Sequence, residues 1–304
     1  MTINTINKKS VSLNLLSYLK SLLQLMKPRV MSLVIFTCAV GLLTSPNQIP
    51  LIDSLICIFF VTVGAGAAGA LNMWYESDLD ALMSRTCLRP IPTGKVKKKQ
   101  ALYFGIILSI LSIIILYKSS NLLSSALLAL TISFYFFVYT IWLKRKTPQN
   151  IVIGGAAGAL PPVIGWTIAT GQISIEPIIL FLIIFFWTPS HFWALSLYKA
   201  GDYKVAKIPM LPIIAGIQKT KLNIFIYALL MLPVVLAPYF FDLATLFYLT
   251  ISLIMTTYYV YLCYRLLKEE NLKASNVIAR KIFIYSIFYL FVIFLVLLID
   301  NLIK

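Results

Sequence analysis

Nine long apolar stretches occupy most of the chain, and each approaches the roughly 20 residues that a helix needs to cross the hydrocarbon core of a membrane. Hydrophobic residues make up 60% of the 304 positions and charged residues only 12%, against about 25% charged residues in an ordinary soluble domain. The sequence therefore predicts an all-α membrane protein with nine transmembrane helices in one bundle. The predicted spans are residues 28–44, 51–73, 101–117, 122–143, 151–170, 177–198, 222–241, 243–267 and 282–302.

Basic residues gather in every second connecting segment, as the positive-inside rule expects of cytoplasmic loops. Of the 26 Lys and Arg residues, 24 lie before or at the start of the first span, or at the end of or after the second, fourth, sixth and eighth spans. Only Lys118 and Lys304 fall on the opposite side, and a count of eight or ten spans would spoil this separation. We therefore predict that residues 1–24 form a cytoplasmic amino-terminal segment, that the carboxyl terminus is external, and that the protein lies in the cell inner membrane.

The net charge of +16 follows mostly from this topology. The same positive charge would also attract anionic lipid headgroups or an anionic substrate. We expect the lipid bilayer, and no nucleic acid, as the macromolecular surroundings. No linker rich in Ser or Pro divides the sequence, so residues 1–304 are expected to form a single domain.

Two connecting segments on the predicted cytoplasmic side, residues 74–100 and 199–221, differ from simple turns. Both combine acidic residues, basic residues and prolines. Ionisable groups at a membrane site are candidates for function by default, because a charge stranded in hydrocarbon is costly. We predict that both segments are active-site loops.

The first of these loops begins with a dense cluster of oxygen-bearing side chains, since residues 76–80 hold three of the ten acidic residues. If the preceding helix continues through the cluster, Asn72, Glu76 and Asp80 fall at i, i+4 and i+8 and remain near one face. Two carboxylates and an amide oxygen in line are ligands suited to a Mg²⁺ ion that carries a phosphorylated substrate. The other interpretation of the cluster is a polar cap on a transmembrane helix.

Arg85 and Arg89 follow the acidic cluster with a spacing of four residues. The planar guanidinium group of Arg matches the oxygens of a phosphate well. The alternative interpretation is that both are ordinary basic residues of a cytoplasmic loop, as the positive-inside rule expects. With the acids beside them, we favour binding of a diphosphate.

Four segments of the sequence together resemble the UbiA-type intramembrane prenyltransferases, and the last three resemble the haem-modifying branch of that family in particular. The resemblance runs from about residue 27 to the last predicted span. The segments are Asn72-x-x-x-Glu76-x-Asp78-x-Asp80-x-x-Met83-x-Arg85-Thr86-x-x-Arg89-Pro90, Tyr139-Thr-x-x-Leu-Lys144-Arg145-x-Thr147-x-x-Asn150-Ile-Val-Ile-Gly-Gly155, Gly158-Ala-x-Pro161-Pro162-x-x-Gly165-Trp166, and His191-Phe-x-Ala-Leu through Asp202-Tyr203-x-x-Ala-x-Ile208-Pro-Met-Leu-Pro212.

The resemblance implies a reaction and its participants. Farnesyl diphosphate loses diphosphate with the help of Mg²⁺, and the 2-vinyl group of protohaem IX captures the farnesyl group. Addition of water then gives haem O. The resemblance also implies an active site that faces the cytoplasm and a downstream haem-oxidising enzyme as a partner.

The same resemblance implies roles for individual residues. The catalytic residues that would hold Mg²⁺ and the diphosphate are Asn72, Glu76, Asp80 and Asp202. The residues that would bind substrate are Asp78, Arg85, Arg89, Tyr139, Lys144, His191 and Lys199.

The sequence departs from the wider family in the second loop. Many members carry two acids four residues apart there, whereas this chain has Tyr198 at the first position and retains only Asp202. A single metal ion, with Lys199 or Lys204 in place of a second one, is one interpretation of this departure. His191, the only histidine, is a candidate for contact with the porphyrin, and the alternative is a hydrogen-bonded residue of the bundle.

Two other functions remain open at the level of the sequence. A quinone-pathway aromatic prenyltransferase would share the chemistry of the metal and the diphosphate but would take a phenolic ring as acceptor. A secondary transporter would also contain polar residues within a helix bundle. The acids of this chain gather at one predicted membrane face instead of the midplane, which favours an enzyme.

Overall fold

The computed structural model describes residues 15–304, and every regular element in that part of the chain is a helix. The prediction of an all-α membrane protein is confirmed. Residues 1–14, which include Lys8 and Lys9 of the predicted amino-terminal segment, lie outside the described residues.

The first predicted span forms a helix of only 16 residues, helix α2 (Pro28–Leu43). It follows helix α1 (Leu15–Leu25) at an angle of 55°, and the two are long and apolar enough to cross a membrane only as a pair. Lys27 has a left-handed conformation with a φ of 54° at the bend. Within residues 15–304, eight spans meet the same criterion without a bend, and counting the bent pair as one span gives the predicted nine.

The acidic cluster lies where the second span ends. Helix α3 (Leu51–Tyr75) is followed at once by the short helix α4 (Ser77–Leu82), with Glu76 as the single residue between them. The Glu76 amide donates to the Asn72 carbonyl at 2.9 Å, and the Asp80 amide donates to the Glu76 carbonyl at 2.8 Å. Helical spacing is therefore maintained across the break, although the helix is not continuous.

The fourth span changes its helix type half-way along. Helix α5 (Lys98–Ser119) leads to helix α6 (Leu122–Ser133), which continues as a π-helix (Phe134–Leu143). At the end of the π-helix, the Lys144 amide donates to the carbonyl of Tyr139, five residues back, at 2.9 Å. π-helical segments occur frequently at functional sites, whereas the apolar pattern predicts only an ordinary span.

The fifth span is broken in its middle. Helix α7 (Asn150–Ala159) and helix α8 (Pro161–Thr170) are separated by Leu160. The interruption coincides with Pro161, which lacks an amide proton and cannot donate the helical hydrogen bond, while Leu160 keeps helical torsion angles of φ −73° and ψ −26°.

The remaining chain forms four long helices and the second of the two predicted active-site loops. The segment after the sixth span, which the sequence marks only as a polar loop, contains two short helices. In chain order the elements are α9 (Ile175–Tyr198), α10 (Ala200–Val205), α11 (Leu211–Ile214), α12 (Ile217–Phe240), α13 (Leu246–Lys268) and α14 (Leu272–Ile303).

Helices α9 and α2 each contact several of the other long helices and so connect the bundle. Helix α9 contacts α7, α8, α12 and α14, while α2 contacts α3, α8 and α14. Helices α2 and α8 approach closely because Gly41 lies against the backbone of Pro162 and Gly165 lies against the backbone of Cys38. A side chain at either glycine would strike backbone atoms that have no room to move.

We expect Gly165→Ala to lower the free energy of unfolding by about 1–3 kcal/mol, the usual cost of overpacking a filled interior. Thermal unfolding of the purified protein in detergent measures this loss. The matched control is Gly158→Ala in the same broken span, because a Cβ atom there meets no other atom within 4 Å. Equal midpoints for the two variants would contradict the close packing of α2 and α8.

Candidate active site

The carboxylate of Glu76 lies at the break between α3 and α4 and is nearly inaccessible to solvent, with 2% of the residue exposed. Lys144, which follows the π-helix, donates a hydrogen bond from Nζ to Glu76 Oε2. The Nζ atom also lies 5.7 Å from the centre of the Tyr139 ring. Because an unpaired charge is costly inside a membrane protein, this ion pair fixes the π-helix against the acidic cluster.

Asp80 is paired within its own loop. The NH1 nitrogen of Arg89 lies 2.8 Å from both carboxylate oxygens of Asp80, which is 3% exposed. The hydroxyl of Thr86 donates to the main-chain carbonyl of Asp80 at 2.9 Å. Residues 80–89 thus fold back on themselves and place Arg89 beside the cluster.

Asn72 uses both ends of its side-chain amide. Its Nδ2 donates to Thr140 Oγ1 at 3.0 Å, and its Oδ1 accepts from Lys27 Nζ at 2.6 Å. Lys27 reaches this position from the bend between α1 and α2, and its Nζ is also 3.5 Å from the hydroxyl of Tyr135. The site is therefore built from three spans.

The π-helix supplies the wall of the site opposite α3. The Thr140 hydroxyl donates to the carbonyl of Tyr135, five residues earlier, at 2.8 Å, which leaves its oxygen free to accept from Asn72. The rings of Tyr135 and Tyr139 stack with their centres 5.3 Å apart. Gly154 of α7 permits this arrangement, because a side chain there would collide with the Tyr139 ring.

Asp78 and Arg145 form the outer edge of the cluster. Arg145 donates to both oxygens of Asp78, at 3.0 and 3.1 Å, and both side chains are exposed. Partial burial acts to raise the pKa of Asp78, but the hydrogen bond and charge of Arg145 together with backbone amide hydrogen bonds outweigh it, so the pKa lies below its ordinary value. Asp78 is therefore ionised at neutral pH and is already occupied by its partner.

Asp202 joins the second loop to the first. The hydroxyl of Ser84 donates to Asp202 Oδ2 at 2.8 Å, across a sequence separation of 118 residues. Tyr203, the next residue, is 4% exposed. The two polar segments that the sequence predicts as active-site loops are thus in direct contact.

Two predicted substrate-binding cations have no partner among the described residues. Arg85 is exposed and forms neither an ion pair nor a hydrogen bond through its side chain within residues 15–304, and the same is true of the partly exposed Lys199. The charge of Arg85 reaches the side chains of Tyr139 and Tyr198. These two cations can accept an anionic ligand without releasing a carboxylate first.

The acidic cluster suits a divalent cation whose coordination is completed by substrate oxygens. Within residues 15–304, no three His, Cys, Asp or Glu side chains lie close enough together to form a metal site from protein alone. Mg²⁺ at phosphate-handling sites takes one or two carboxylates and fills its other positions with water and phosphate oxygens. Glu76 Oε1 fits this role, because it is buried and has no hydrogen-bond partner. Of the other predicted ligands, Asp80 is paired with Arg89, and the carboxylate of Asp202 accepts a hydrogen bond from Ser84.

His191 lies in the interface between α9 and α14. Its ring is stacked between Trp187 and Phe283, with centres 4.2 and 4.6 Å away, and its Nδ1 lies 2.6 Å from the hydroxyl of Ser286. The described residues in contact with His191 include no member of the acidic cluster. The ring of Tyr198 meets Phe283 edge-on at 6.0 Å, so a row of aromatic rings connects His191 to the start of the second loop.

Three residues enter the site that the sequence motifs do not single out: Lys27, Ser84 and Tyr135. A Lys-Pro pair at the start of a span is a weak signal for Lys27, which otherwise counts as a positive-inside residue. Tyr135 is one further member of an aromatic run. Thr140 belongs to a motif, but only the π-helical register brings its hydroxyl to Asn72. No sequence signal points to Ser84.

The fold and the site together define an integral membrane protein with a buried, charge-paired polar site at one end of a helix bundle. The model of the UbiA prenyltransferase family matches residues 33–297. The chain belongs to this family.

Two curated relatives cover nearly the whole chain. A protein of Pelagibacter ubique (strain HTCC1062) named protoheme IX farnesyltransferase is 65% identical over 280 residues, which are 92% of this chain and 92% of that protein. A protein of the same name from Rhizobium rhizogenes (strain K84 / ATCC BAA-868) is 52% identical over 92% of this chain and 88% of its own length.

Solved structures of the family share the fold. A digeranylgeranylglyceryl phosphate synthase has a TM-score of 0.78 at 21% identity, covering 94% of this chain and 99% of that one. A UbiA homologue from Archaeoglobus fulgidus bound to GPP and Mg²⁺ has a TM-score of 0.64 at 18% identity, covering 91% of this chain and 99% of that one. At these identities the likeness establishes the arrangement of helices.

We expect Lys144→Met to lower the free energy of unfolding by about 3 kcal/mol, because it leaves the buried carboxylate of Glu76 without its cation. The double variant Lys144→Met, Glu76→Gln removes both charges and should recover most of the loss. Unfolding of the purified proteins without ligand measures both effects.

The matched control is Arg145→Met, which breaks the neighbouring but exposed pair with Asp78. Exposed ion pairs contribute about 1 kcal/mol or less. If Lys144→Met and Arg145→Met lower the free energy of unfolding by the same amount, the buried ion pair does not hold the π-helix in place.

Proposed function

We propose that the chain transfers a farnesyl group from farnesyl diphosphate to the 2-vinyl group of protohaem IX, with addition of water, and releases haem O and diphosphate. The observation that carries the proposal is the likeness to two proteins named protoheme IX farnesyltransferase, at 65% and 52% identity over 92% of this chain. The site adds support, because it combines a buried carboxylate with several cations at one end of the bundle.

The donor diphosphate is bound at the acidic cluster. Glu76 is the first ligand we assign to Mg²⁺, because its Oε1 is free, and Asn72, Asp80 and Asp202 are the further candidates. When bound, Mg²⁺ supplies charge neutralisation and Lewis acidity at the leaving diphosphate. The family member bound to GPP and Mg²⁺ supports this assignment.

The cations of the site act on the diphosphate in two groups. Arg85 and Lys199 are free to bind its oxygens at once. Lys144, Arg89 and Lys27 are bonded to the acidic cluster and can share their remaining N–H groups with the ligand. Hydrogen bonds between charged partners are shorter and stronger than neutral ones, so this set stabilises the negative charge that grows on the leaving group.

Aromatic rings line the way from the diphosphate into the bundle. The faces of Tyr135 and Tyr139 lie beside the acidic cluster, and each ring already has an ammonium group within 6 Å, from Lys27 and Lys144 respectively. Aromatic faces attract cations. We assign these rings to the allylic cation that forms when the diphosphate leaves, which they stabilise and shield from water.

The proposed reaction breaks the bond between farnesyl and diphosphate and forms a C–C bond and a C–O bond at the vinyl group. The C1–O bond of farnesyl diphosphate breaks, and both electrons leave with the diphosphate. The π electrons of the 2-vinyl group form the new C–C bond, which leaves a cation on the carbon attached to the porphyrin. Water adds to that carbon and loses a proton, giving a hydroxyl group. We place the porphyrin along the aromatic row that ends at His191.

Residues 74–100 and 199–221 serve as the active-site loops of a single domain, 1–304, on the cytoplasmic side of the cell inner membrane. Their contact through Ser84 and Asp202 supports a shared role. The product, a farnesylated haem with an unoxidised methyl group, fits consumption by a haem-oxidising enzyme that would act next.

The deciding experiment is pigment analysis of membranes that contain the chain, supplied with haem B, farnesyl diphosphate and Mg²⁺. We expect a new and more hydrophobic haem, with the mass of a hydroxyethylfarnesyl derivative, by chromatography and mass spectrometry. The Asp80→Ala variant should give none. A parallel reaction with hydroxybenzoate tests the quinone-pathway alternative. Formation of a prenylated phenol without any new haem would contradict the proposal and support that alternative.

We expect Arg85→Ala to raise the KM for farnesyl diphosphate by about 10-fold or more, since a charge-assisted hydrogen bond contributes about 1.5–3 kcal/mol. Steady-state assays at fixed haem concentration measure the change. The matched control is Lys95→Ala, which removes an exposed cation from the same loop. Equal KM values for both variants would exclude Arg85 from the diphosphate site.

The orientation can be tested separately. We expect a reporter that is active only in the cytoplasm to work when inserted after Lys95 and to fail when fused after Lys304. A reporter that is active only outside should behave in the opposite way. The reverse pattern would place the active-site loops on the external face.

A further inference from the structure

Ser286 of α14 is fully buried and makes two polar contacts through its hydroxyl. The oxygen lies 2.7 Å from the carbonyl of Phe283 on the same helix and 2.6 Å from Nδ1 of His191 on α9. The main-chain carbonyl of Ser286 also accepts a hydrogen bond from Trp187 Nε1 at 2.8 Å. Ser286 is thus the polar junction of the two helices at the level of His191.

These contacts determine which nitrogen of His191 carries the proton. A serine hydroxyl has one hydrogen, and the contact with the Phe283 carbonyl requires that hydrogen, because a carbonyl can only accept. Toward His191, the Ser286 oxygen is then an acceptor. Nδ1 must therefore be the protonated nitrogen, and in a neutral imidazole the lone pair is left on Nε2.

The surroundings keep the ring neutral and in one orientation. No acidic side chain within residues 15–304 contacts His191, and a cation without a partner at this position in a span is unfavourable. Trp187 and Phe283 hold the ring from its two faces, with interplanar angles of 18° and 24°. The described residues provide no hydrogen-bond partner for Nε2.

A neutral imidazole with one nitrogen bonded to an oxygen and the other free is the arrangement found in histidines that bind a metal. Such a histidine almost always donates its second N–H to a carboxylate, a carbonyl or water, and that partner sets the tautomer and the ring orientation. His191 is seven residues before Tyr198, or about 10 Å along α9 from the start of the second loop. The acceptor of the proposed reaction carries an iron ion that needs axial ligands.

We propose that Ser286 is a positioning residue, which holds His191 in the Nδ1-protonated tautomer so that Nε2 binds the iron of the acceptor haem. This inference rests on the proposed function for the identity of the ligand. It assigns His191 an axial bond and Ser286 the role of orienting it. The porphyrin would then be held from the α9 side while its vinyl edge points toward the prenyl donor.

The tautomer can be read directly, because His191 is the only histidine of the chain. The full-length protein, purified through a histidine-free tag and labelled with ¹⁵N-histidine, should show one neutral imidazole with a protonated Nδ1 and an unprotonated Nε2. Ser286→Ala should convert part of the signal to the other tautomer. An Nε2-protonated ring or an imidazolium in the unaltered protein would overturn the proposal without any variant.

Iron binding is tested with ferric haem B alone, added to the protein in nanodiscs without a prenyl donor. The absorption and electron paramagnetic resonance spectra should show a nitrogen ligand in the unaltered protein and none in His191→Ala. Ser286→Ala should bind haem about 10- to 100-fold more weakly, the usual loss when the partner of a metal-binding histidine is removed. Ser286→Thr keeps the hydroxyl and should retain the spectrum.

The matched control is Ser252→Ala on α13. Ser252 is buried and donates to the carbonyl of Leu249 at 3.0 Å, as Ser286 does to Phe283, but it contacts no histidine. Its haem affinity should equal that of the unaltered protein. Equal affinities and spectra for Ser286→Ala and Ser252→Ala would overturn the positioning role.

The outcomes also separate this inference from the proposed function. If the chain farnesylates haem but its bound haem shows no nitrogen ligand from His191, the axial bond is wrong and the proposed function stands. If haem binds through His191 and responds to Ser286→Ala but is never farnesylated, the inference stands and the proposed function fails.

Discussion

The cost of a charge inside a membrane-embedded bundle is the constraint on which this structure depends. Glu76 and Asp80 lie at the end of a span with almost no access to solvent, so each needs a cation or a metal. Lys144 comes from a distant part of the chain and ties the π-helix to Glu76, whereas Arg89 comes from the same loop as Asp80 and folds that loop back on itself. The polar site therefore contributes to the fold and is not an addition to a finished scaffold.

The same pairing makes the site responsive to an anionic ligand. Lys144 and Arg89 neutralise carboxylates, whereas Arg85 and Lys199 have no ion-pair partner within residues 15–304. In the proposed function, a diphosphate bound with Mg²⁺ would add both signs of charge at once, so the paired groups could rearrange without leaving a buried charge alone. Glu76 Oε1, which is buried and has no hydrogen-bond partner among the described residues, is the atom that the proposal assigns to the cation.

Much of the fold follows from hydropathy and the distribution of basic residues, but its irregular parts do not. The bend at Lys27 and the π-helix Phe134–Leu143 bring Lys27 and Thr140 to Asn72, from which they are 45 and 68 residues away in the chain. The π-helical register in particular carries Thr140 to Asn72, and an apolar run of this length contains no local signal for that register. The motif residues were predicted as a group, whereas their individual partners were not.

By itself, the sequence determined the membrane class, the positions of the apolar spans and the family motifs, because the energy of apolar burial and the cost of moving Lys and Arg across a membrane act on each segment separately. Only the tertiary structure decided that Lys144 holds Glu76, that Ser84 meets Asp202, and that Ser286 faces His191. These contacts join residues that lie 68, 118 and 95 positions apart in the first, second and third case. They exist only when the spans are packed together, because hydrogen bonds depend on distances of a few ångströms that no segment sets alone.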